Sequence, residues 1–293
     1  MNIIRPVIER IELAKEIQRS RAIQLDINNM IIAGEFQIPI HLGIGHEAIA
    51  TSLVNVLKQN DKLLLTHRNI HYQLALGASK EELIDEYSLR NTGLASGRLG
   101  SMNLMNPRAG NIYTSNILGN NLAVSLGVGM ASKIRGDGGV TWVVTGDGAI
   151  EEGIFYESVL FASSVQLPVV FLIENNEWSL GTSISERRTE IDLKNFAKSI
   201  SVDYLHLSGN DAERYIFELS SARKIVDQQN RPLIVEVALH SLGGFYKEEE
   251  LGSKRFINYH AGAIRLQPDS NNVFENDSSD PMFVVLDDLE PGR

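Results

Sequence analysis

The chain has 293 residues, 27 basic and 37 acidic side chains, a net charge of −10 and no cysteine. The acidic balance argues against a nucleic-acid-binding surface, and the missing thiols exclude disulfides, thiolate metal sites and cysteine nucleophiles. No apolar run approaches the roughly 18 residues of a membrane span and no secretory leader pattern opens the chain, so the cytoplasm is the default compartment.

Residues 8–33 place apolar positions at helical spacing with charges between them. Residues 46–58 fit a second helix and 80–90 a third, with Ser79 and Glu82 matching a capping box. Residues 91–116 are rich in Gly, Asn and Ser and read as a loop suited to backbone contacts with a ligand. Residues 121–134 form a mostly apolar helix that reads as buried. Its Gly127 and Gly129 imitate a dinucleotide fingerprint. That fingerprint must follow a strand and open a helix, so these glycines read as close helix packing. Residues 140–145 are a short β-rich run ending at Gly146-Asp147-Gly148, and 151–165 read as a helix. Residues 168–173 are a second buried strand, ending at Glu174-Asn175-Asn176. A strand at 203–207, a helix at 211–228 and a strand at 232–239 follow, with no internal repeat. Residues 243–256 read as a mobile loop near a cofactor. The reading is one domain over 1–265, with an acidic, flexible tail over 266–293.

The segment from 140 to 176 is a βαβ unit, so its two strands should be parallel. Ligands on such sheets sit beyond the carboxyl ends of the strands, where Asp147 and Asn176 fall. One carboxylate and one amide oxygen are too few to cage a metal. They suit Mg²⁺, which keeps some waters and takes its remaining oxygens from a phosphate. Gly148 and Ala149 lead into a helix start, where free backbone N–H groups favour an anion. The unit predicts a Mg²⁺-diphosphate site. The bland alternative is a tight turn and an unrelated Asn pair.

The stretch 146–183, GDGAIEEGIFYESVLFASSVQLPVVFLIENNEWSLGTS, resembles the thiamine-diphosphate motif of the alpha subunits of 2-oxo acid dehydrogenases. These are the decarboxylating components of the pyruvate, branched-chain 2-oxo acid and acetoin dehydrogenase complexes. His41–Ala48 resembles the family's "H-L-x-x-G-Q-E-A". His67-Arg68 resembles its "Y-R" pair, Gly100-Ser101-Met102 its "G-S-M-H" with Asn103 replacing His, and Asn116–Gly119 its "G-I-V-G". Gly209–Asp211 and Pro232–Glu236 match later landmarks. The resemblance implies an α/β thiamine-diphosphate-binding fold, a central, mostly parallel sheet between layers of helices.

It also implies roles. Asp147 and Asn176 would bind Mg²⁺ by side chain and Trp178 by its carbonyl. Gly146, Gly148, Ala149, His67 and Arg68 would meet the diphosphate of thiamine diphosphate, with Arg68 suited by its planar fork. Asn116 and Leu118 would offer backbone groups to the aminopyrimidine ring, although Leu118 also reads as core. The proton-relay Glu of the two-chain branch lies on a beta subunit, so an α₂β₂ heterotetramer is implied. The substrate would be a small 2-oxo acid and a lipoyl carrier protein a possible acceptor. One departure stands out. The family loop "Y-R-x-H-G-H-S" here reads His240-Ser241-Leu242-Gly243-Gly244-Phe245. Ser241 replaces its Arg and Gly243 its His, which sets lipoyl transfer in question and leaves His240 as the catalytic candidate on this chain. Three readings follow: a decarboxylating alpha subunit of the pyruvate or acetoin dehydrogenase type, a split transketolase-like or carboligase subunit, and a non-catalytic scaffold.

Overall fold

The computed structural model describes residues 9–249 and 252–289. Ile8 of the first expected helix, residues 250 and 251 of the expected loop and residues 290–293 of the expected tail lie outside them.

Helices α1 (Arg10–Ile32) and α2 (Glu47–Val56) precede β1 (Lys62–Thr66), α3 (Ile70–Ala75) and α4 (Lys80–Tyr87). Then come β2 (Asn111–Ser115), α5 (Asn120–Arg135), β3 (Thr141–Gly146), α6 (Gly153–Ser164) and β4 (Val169–Asn175). A tight hairpin, β5 (Trp178–Ser179) and β6 (Thr182–Ser183), leads to the one-turn α7 (Ile184–Arg187) and to α8 (Leu193–Ser199). The order continues with β7 (Asp203–Leu207), α9 (Ala212–Gln229) and β8 (Leu233–Ala238). A second hairpin, β9 (Phe245–Glu248) and β10 (Lys254–Ile257), and α10 (Pro281–Leu289) close the described chain.

Six strands form one parallel sheet in the order β2-β1-β3-β4-β8-β7. The sequence dictates why it is covered on both faces. The cores of β3 (Trp142–Val144) and β4 (Val169–Ile173) are wholly apolar, so alternate side chains point both ways into dry space. Trp142, Val144, Val170 and Leu172 meet α2 and α9 on one face. Val143, Val169, Phe171 and Ile173 meet α5, α6 and α8 on the other. This is the three-layer architecture expected. Among the described residues no helix is long and apolar enough to cross a membrane.

Several local expectations change. The capping box at α4 is present, with the Ser79 hydroxyl accepting from Glu82 N–H and the Glu82 carboxylate from Ser79 N–H. The Gly-rich stretch 91–116 is not all loop, because it contains the edge strand β2. Helix α6 begins at Gly153 after a single 3₁₀ turn, Ala149–Glu151. Helix α5 buries one face only. A Cβ at Gly129 would stand 2.7 Å from Val169 Cγ2, so Gly129 does bring the helix close to β4. Gly127 instead faces open space.

The C-terminal segments carry more regular structure than the sequence suggests. Phe245–Glu248 and Lys254–Ile257 pair as a hairpin whose Phe256 ring stacks edge-on against Trp178 at 5.7 Å. Gly244 admits that ring, since a Cβ there would lie 2.3 Å from Phe256 Cζ. The acidic tail is folded through residue 289. Helix α10 buries Met282 and Val285 against Leu13, Ala14 and Ile17 of α1. Asp280 is wholly buried and accepts Arg21 Nη2 at 2.9 Å. A buried arginine thus converts an acidic residue from a solvated charge into a clasp.

Candidate active site

The carboxyl ends of β1, β2, β3 and β4 surround one cavity. Thr66, His67 and Arg68 follow β1, and Asn116 and Leu118 follow β2. Gly146, Asp147, Gly148 and Ala149 close β3, and Glu174, Asn176 and Trp178 close β4. The register pairs Gly146 with Glu174 and so sets Asp147 and Asn176 at adjacent strand ends. Every residue expected to contact cofactor or cation therefore lines the same space. His240 does not; its side chain is exposed, outside the cavity lining. Leu118 is no core residue, since half of it is exposed at the rim beside Ile117.

The Asn-Asn pair has a local function. Asn175 Oδ1 accepts Glu177 N–H and Asn176 Oδ1 accepts Trp178 N–H, both at 3.1 Å. These are two successive Asx turns. Between them Glu177 adopts φ +65°, uncommon for a residue with a side chain. Asn176 Nδ2 donates to Ser241 Oγ at 2.9 Å, which fixes the amide flip and leaves Oδ1 a second lone pair.

Asp147 is almost fully buried. Arg187 Nη2 donates to its Oδ2 at 2.6 Å, and the same guanidinium bonds Glu151. Burial still pushes the Asp147 carboxyl up to about 6, against the opposing pull of Arg187. The donor set fits a hard cation: a carboxylate, an amide oxygen and a main-chain carbonyl on two adjacent strand ends. Arg187 already supplies positive charge at that spot. The glycines fit an anion beside it. A Cβ on Gly146 would meet no atom within 4 Å, whereas one on Gly148 would strike Ser179 Oγ at 2.7 Å. The 3₁₀ turn starts with Glu151 N–H bonding Gly148 carbonyl, so the Gly148 and Ala149 amides precede the bonded turn.

Arg68 is buried and partly committed. Its Nη1 donates to Leu42 carbonyl at 2.7 Å and its Nη2 to His260 carbonyl at 3.0 Å, with the guanidinium over Tyr259. His67 stacks edge-on against His41 at 4.6 Å and leans on His260 at 5.7 Å. Burial first, then the Arg68 charge, pushes His67 and His260 down to about 4, while burial and then His67, Arg68 and His260 take His41 down to about 2. These imidazoles are neutral near pH 7 and offer N–H groups rather than charge.

Sequence reading missed four residues here: His46, Glu174, Arg187 and His260. Glu174 and His46 stood inside quoted motifs and gave a usable signal. His260 and Arg187 gave none, because contacts at such sequence distance leave no pattern.

Residues 19–254 match the family model of the dehydrogenase E1 component. The chain belongs to that family. Among E1 relatives, the pyruvate dehydrogenase E1 component subunit alpha of Rickettsia bellii is 29% identical over 236 residues, covering 80% of this chain and 72% of that one. The mitochondrial counterpart of Dictyostelium discoideum is 30% identical over 202 residues, covering 67% of this chain and 51% of that one. A transketolase of Pichia stipitis, solved with xylulose 5-phosphate, superposes with a TM-score of 0.60 at 18% identity, over 81% of this chain and 37% of that one. That likeness bears on the fold shared with the E1 chain.

Proposed function

We infer that this chain is the alpha subunit of a two-chain, thiamine-diphosphate-dependent 2-oxo acid dehydrogenase component. It decarboxylates a 2-oxo acid and passes the acyl unit to an acceptor. The observation that carries this reading is the convergence of Asp147, Asn176 and Trp178 with His67 and Arg68 on one cavity, in a chain of the E1 family.

Thiamine diphosphate, when bound, supplies the nucleophilic carbon and the electron sink for loss of CO₂. The protein's part is binding and orientation. Asp147, Asn176 and the Trp178 carbonyl hold Mg²⁺. The amides of Gly148 and Ala149 hold the diphosphate, helped by neutral His67 and the Arg68 charge. Backbone groups of Asn116 and Leu118 meet the aminopyrimidine. His240 has no part in this scheme.

A beta subunit completes the site and brings the proton-relay Glu, in an α₂β₂ assembly located in the cytoplasm. The apolar surface supports a partner. Ile117, Leu118, Ile134, Leu160 and Phe161 are exposed on the loop before α5 and on α5 and α6. Large apolar side chains exposed on these elements are surface that a partner subunit would cover. A lipoyl carrier is the acceptor this reading favours, although Ser241 here bonds Asn176 and replaces the family's arginine.

The test is calorimetric. Asp147→Ala in the chain co-purified with its partner should cost about 2–5 kcal/mol of Mg²⁺-dependent thiamine diphosphate binding. CO₂ release from 2-oxo acids should fall with it. Unchanged cofactor affinity in the variant would sink the proposal.

A further inference from the structure

Glu174 and two histidines make a second cluster at the inner wall of the cavity. His46 Nδ1 lies 3.4 Å from Glu174 Oε2, and His71 Nε2 lies 3.3 Å from Oε1. The His71 contact is a long hydrogen bond, and both separations exceed the about 2.7–2.9 Å of a charge-assisted one. They match the spacing of neighbouring ligands around a four-coordinate ion with bonds of about 2.0–2.1 Å, which is about 3.3 Å. One ligand atom from each of the three residues lies within 4.8 Å of the others. Among the described residues, the ion-pair partners of this buried carboxylate are His46 and His71, and no lysine or arginine.

The outer contacts are those that orient metal ligands. His46 Nε2 is 2.9 Å from Ser241 Oγ, while its buried Nδ1, on the Glu174 side, has no hydrogen-bond partner. Tyr72 donates to Glu174 Oε1 at 2.9 Å. Partners of this kind fix ring orientation and carboxylate rotation in metal sites. Gly43 makes room for His71, since a Cβ there would lie 2.0 Å from His71 Nδ1. His46 and Glu174 also line the cavity, so the cluster borders it.

We propose that His46, His71 and Glu174 bind a divalent first-row transition metal of the Zn²⁺ class, at a site distinct from the Asp147 cation site. Two imidazoles and one carboxylate suit Zn²⁺, Co²⁺ or Fe²⁺, whereas Mg²⁺ prefers an all-oxygen shell. The free position faces the cavity and takes a water or another oxygen ligand from it.

The experiment titrates the chelator-treated full chain with Co²⁺ in excess Mg²⁺, reading visible d–d absorption, and then displaces Co²⁺ with Zn²⁺. Wild type and Asp147→Ala should each bind one Co²⁺ per chain with the same spectrum. The isosteric His46→Gln and Glu174→Gln should each weaken binding by more than about 100-fold, and Ser241→Ala by about 10–100-fold. Circular dichroism checks that each variant is folded. No Co²⁺ signal in folded wild type overturns the proposal, and so does a signal unchanged in a folded glutamine variant. A signal lost in Asp147→Ala would place the ion at the other site and overturn it equally. None of these outcomes depends on whether thiamine diphosphate binds.

Discussion

Glu47 and Asp147 are both acidic side chains withdrawn from water, and their surroundings differ. Glu47 accepts Arg21 Nε at 2.6 Å, Arg21 Nη2 at 3.1 Å and the Gly45 N–H at 2.8 Å. Asp280 and the Asn272 carbonyl take up further donors of the same arginine. The guanidinium is matched at Nε, Nη1 and Nη2, and it ties α1, α2 and the C-terminal segment together. Asp147 has Arg187 on one oxygen, shared with Glu151, with the main-chain amides of Asp147 and Asn176 also favouring its charged form, and it borders the cavity. Its carboxyl is pushed up to about 6. A saturated buried charge holds a fold, while an incompletely matched one can exchange its partner and so serve a site.

The largest effect that would break this contrast is at the clasp. Asp280→Ala leaves a buried arginine short of a counter-ion and should cost about 3–5 kcal/mol in denaturant unfolding. A loss below about 1 kcal/mol would show that the clasp is not structural. Next comes pH. Protonation would remove an anionic ligand at Asp147, so Mg²⁺ affinity should be nearly full about one unit above pH 6, halved near pH 6 and fall about tenfold per unit below it. Calorimetry between pH 5 and 7 (about one unit each side of that value) reads this, and a flat profile would contradict the buried-carboxylate account. The smallest effect sharpens the contrast. Arg187→Ala removes the resident cation and should raise Mg²⁺ affinity by about 3- to 10-fold, with a stability loss of about 1 kcal/mol or less. Weaker Mg²⁺ binding in that variant would make Arg187 a support of the site and not a competitor.

The layered fold was legible because β3 and β4 are uninterrupted apolar runs with a helix between them. The Gly-Asp-Gly turn and the Asn pair then located the strand ends, which is where the cavity lies. The edge of the sheet was less legible. β2 reads Asn-Ile-Tyr-Thr-Ser, and its Asn111 and Thr114 spend their side chains on Leu63 and Leu104 carbonyls. A strand that satisfies its surroundings with polar atoms carries no apolar signature. β1 is only five residues long and was not recognised. The β9–β10 hairpin presents Phe245 and Tyr246 to solvent, so it lacks the alternation that marks a half-buried strand. Asp280 looked like a solvated acid because its partner lies 259 positions away. Within the site, position in a motif gathered the expected residues, but their partners Arg187 and His260 arise from tertiary folding alone.

Arg187 reaches Asp147 from α7, directly after β6, and β6 pairs Ser183 with Trp178. The arginine and the Trp178 carbonyl therefore ride on one short hairpin. Any cation taken up at Asp147 would meet Arg187 already bonded there, so uptake would exchange one positive group for another. The hairpin carries its own counter-charge, so the buried carboxylate is paired by the chain itself.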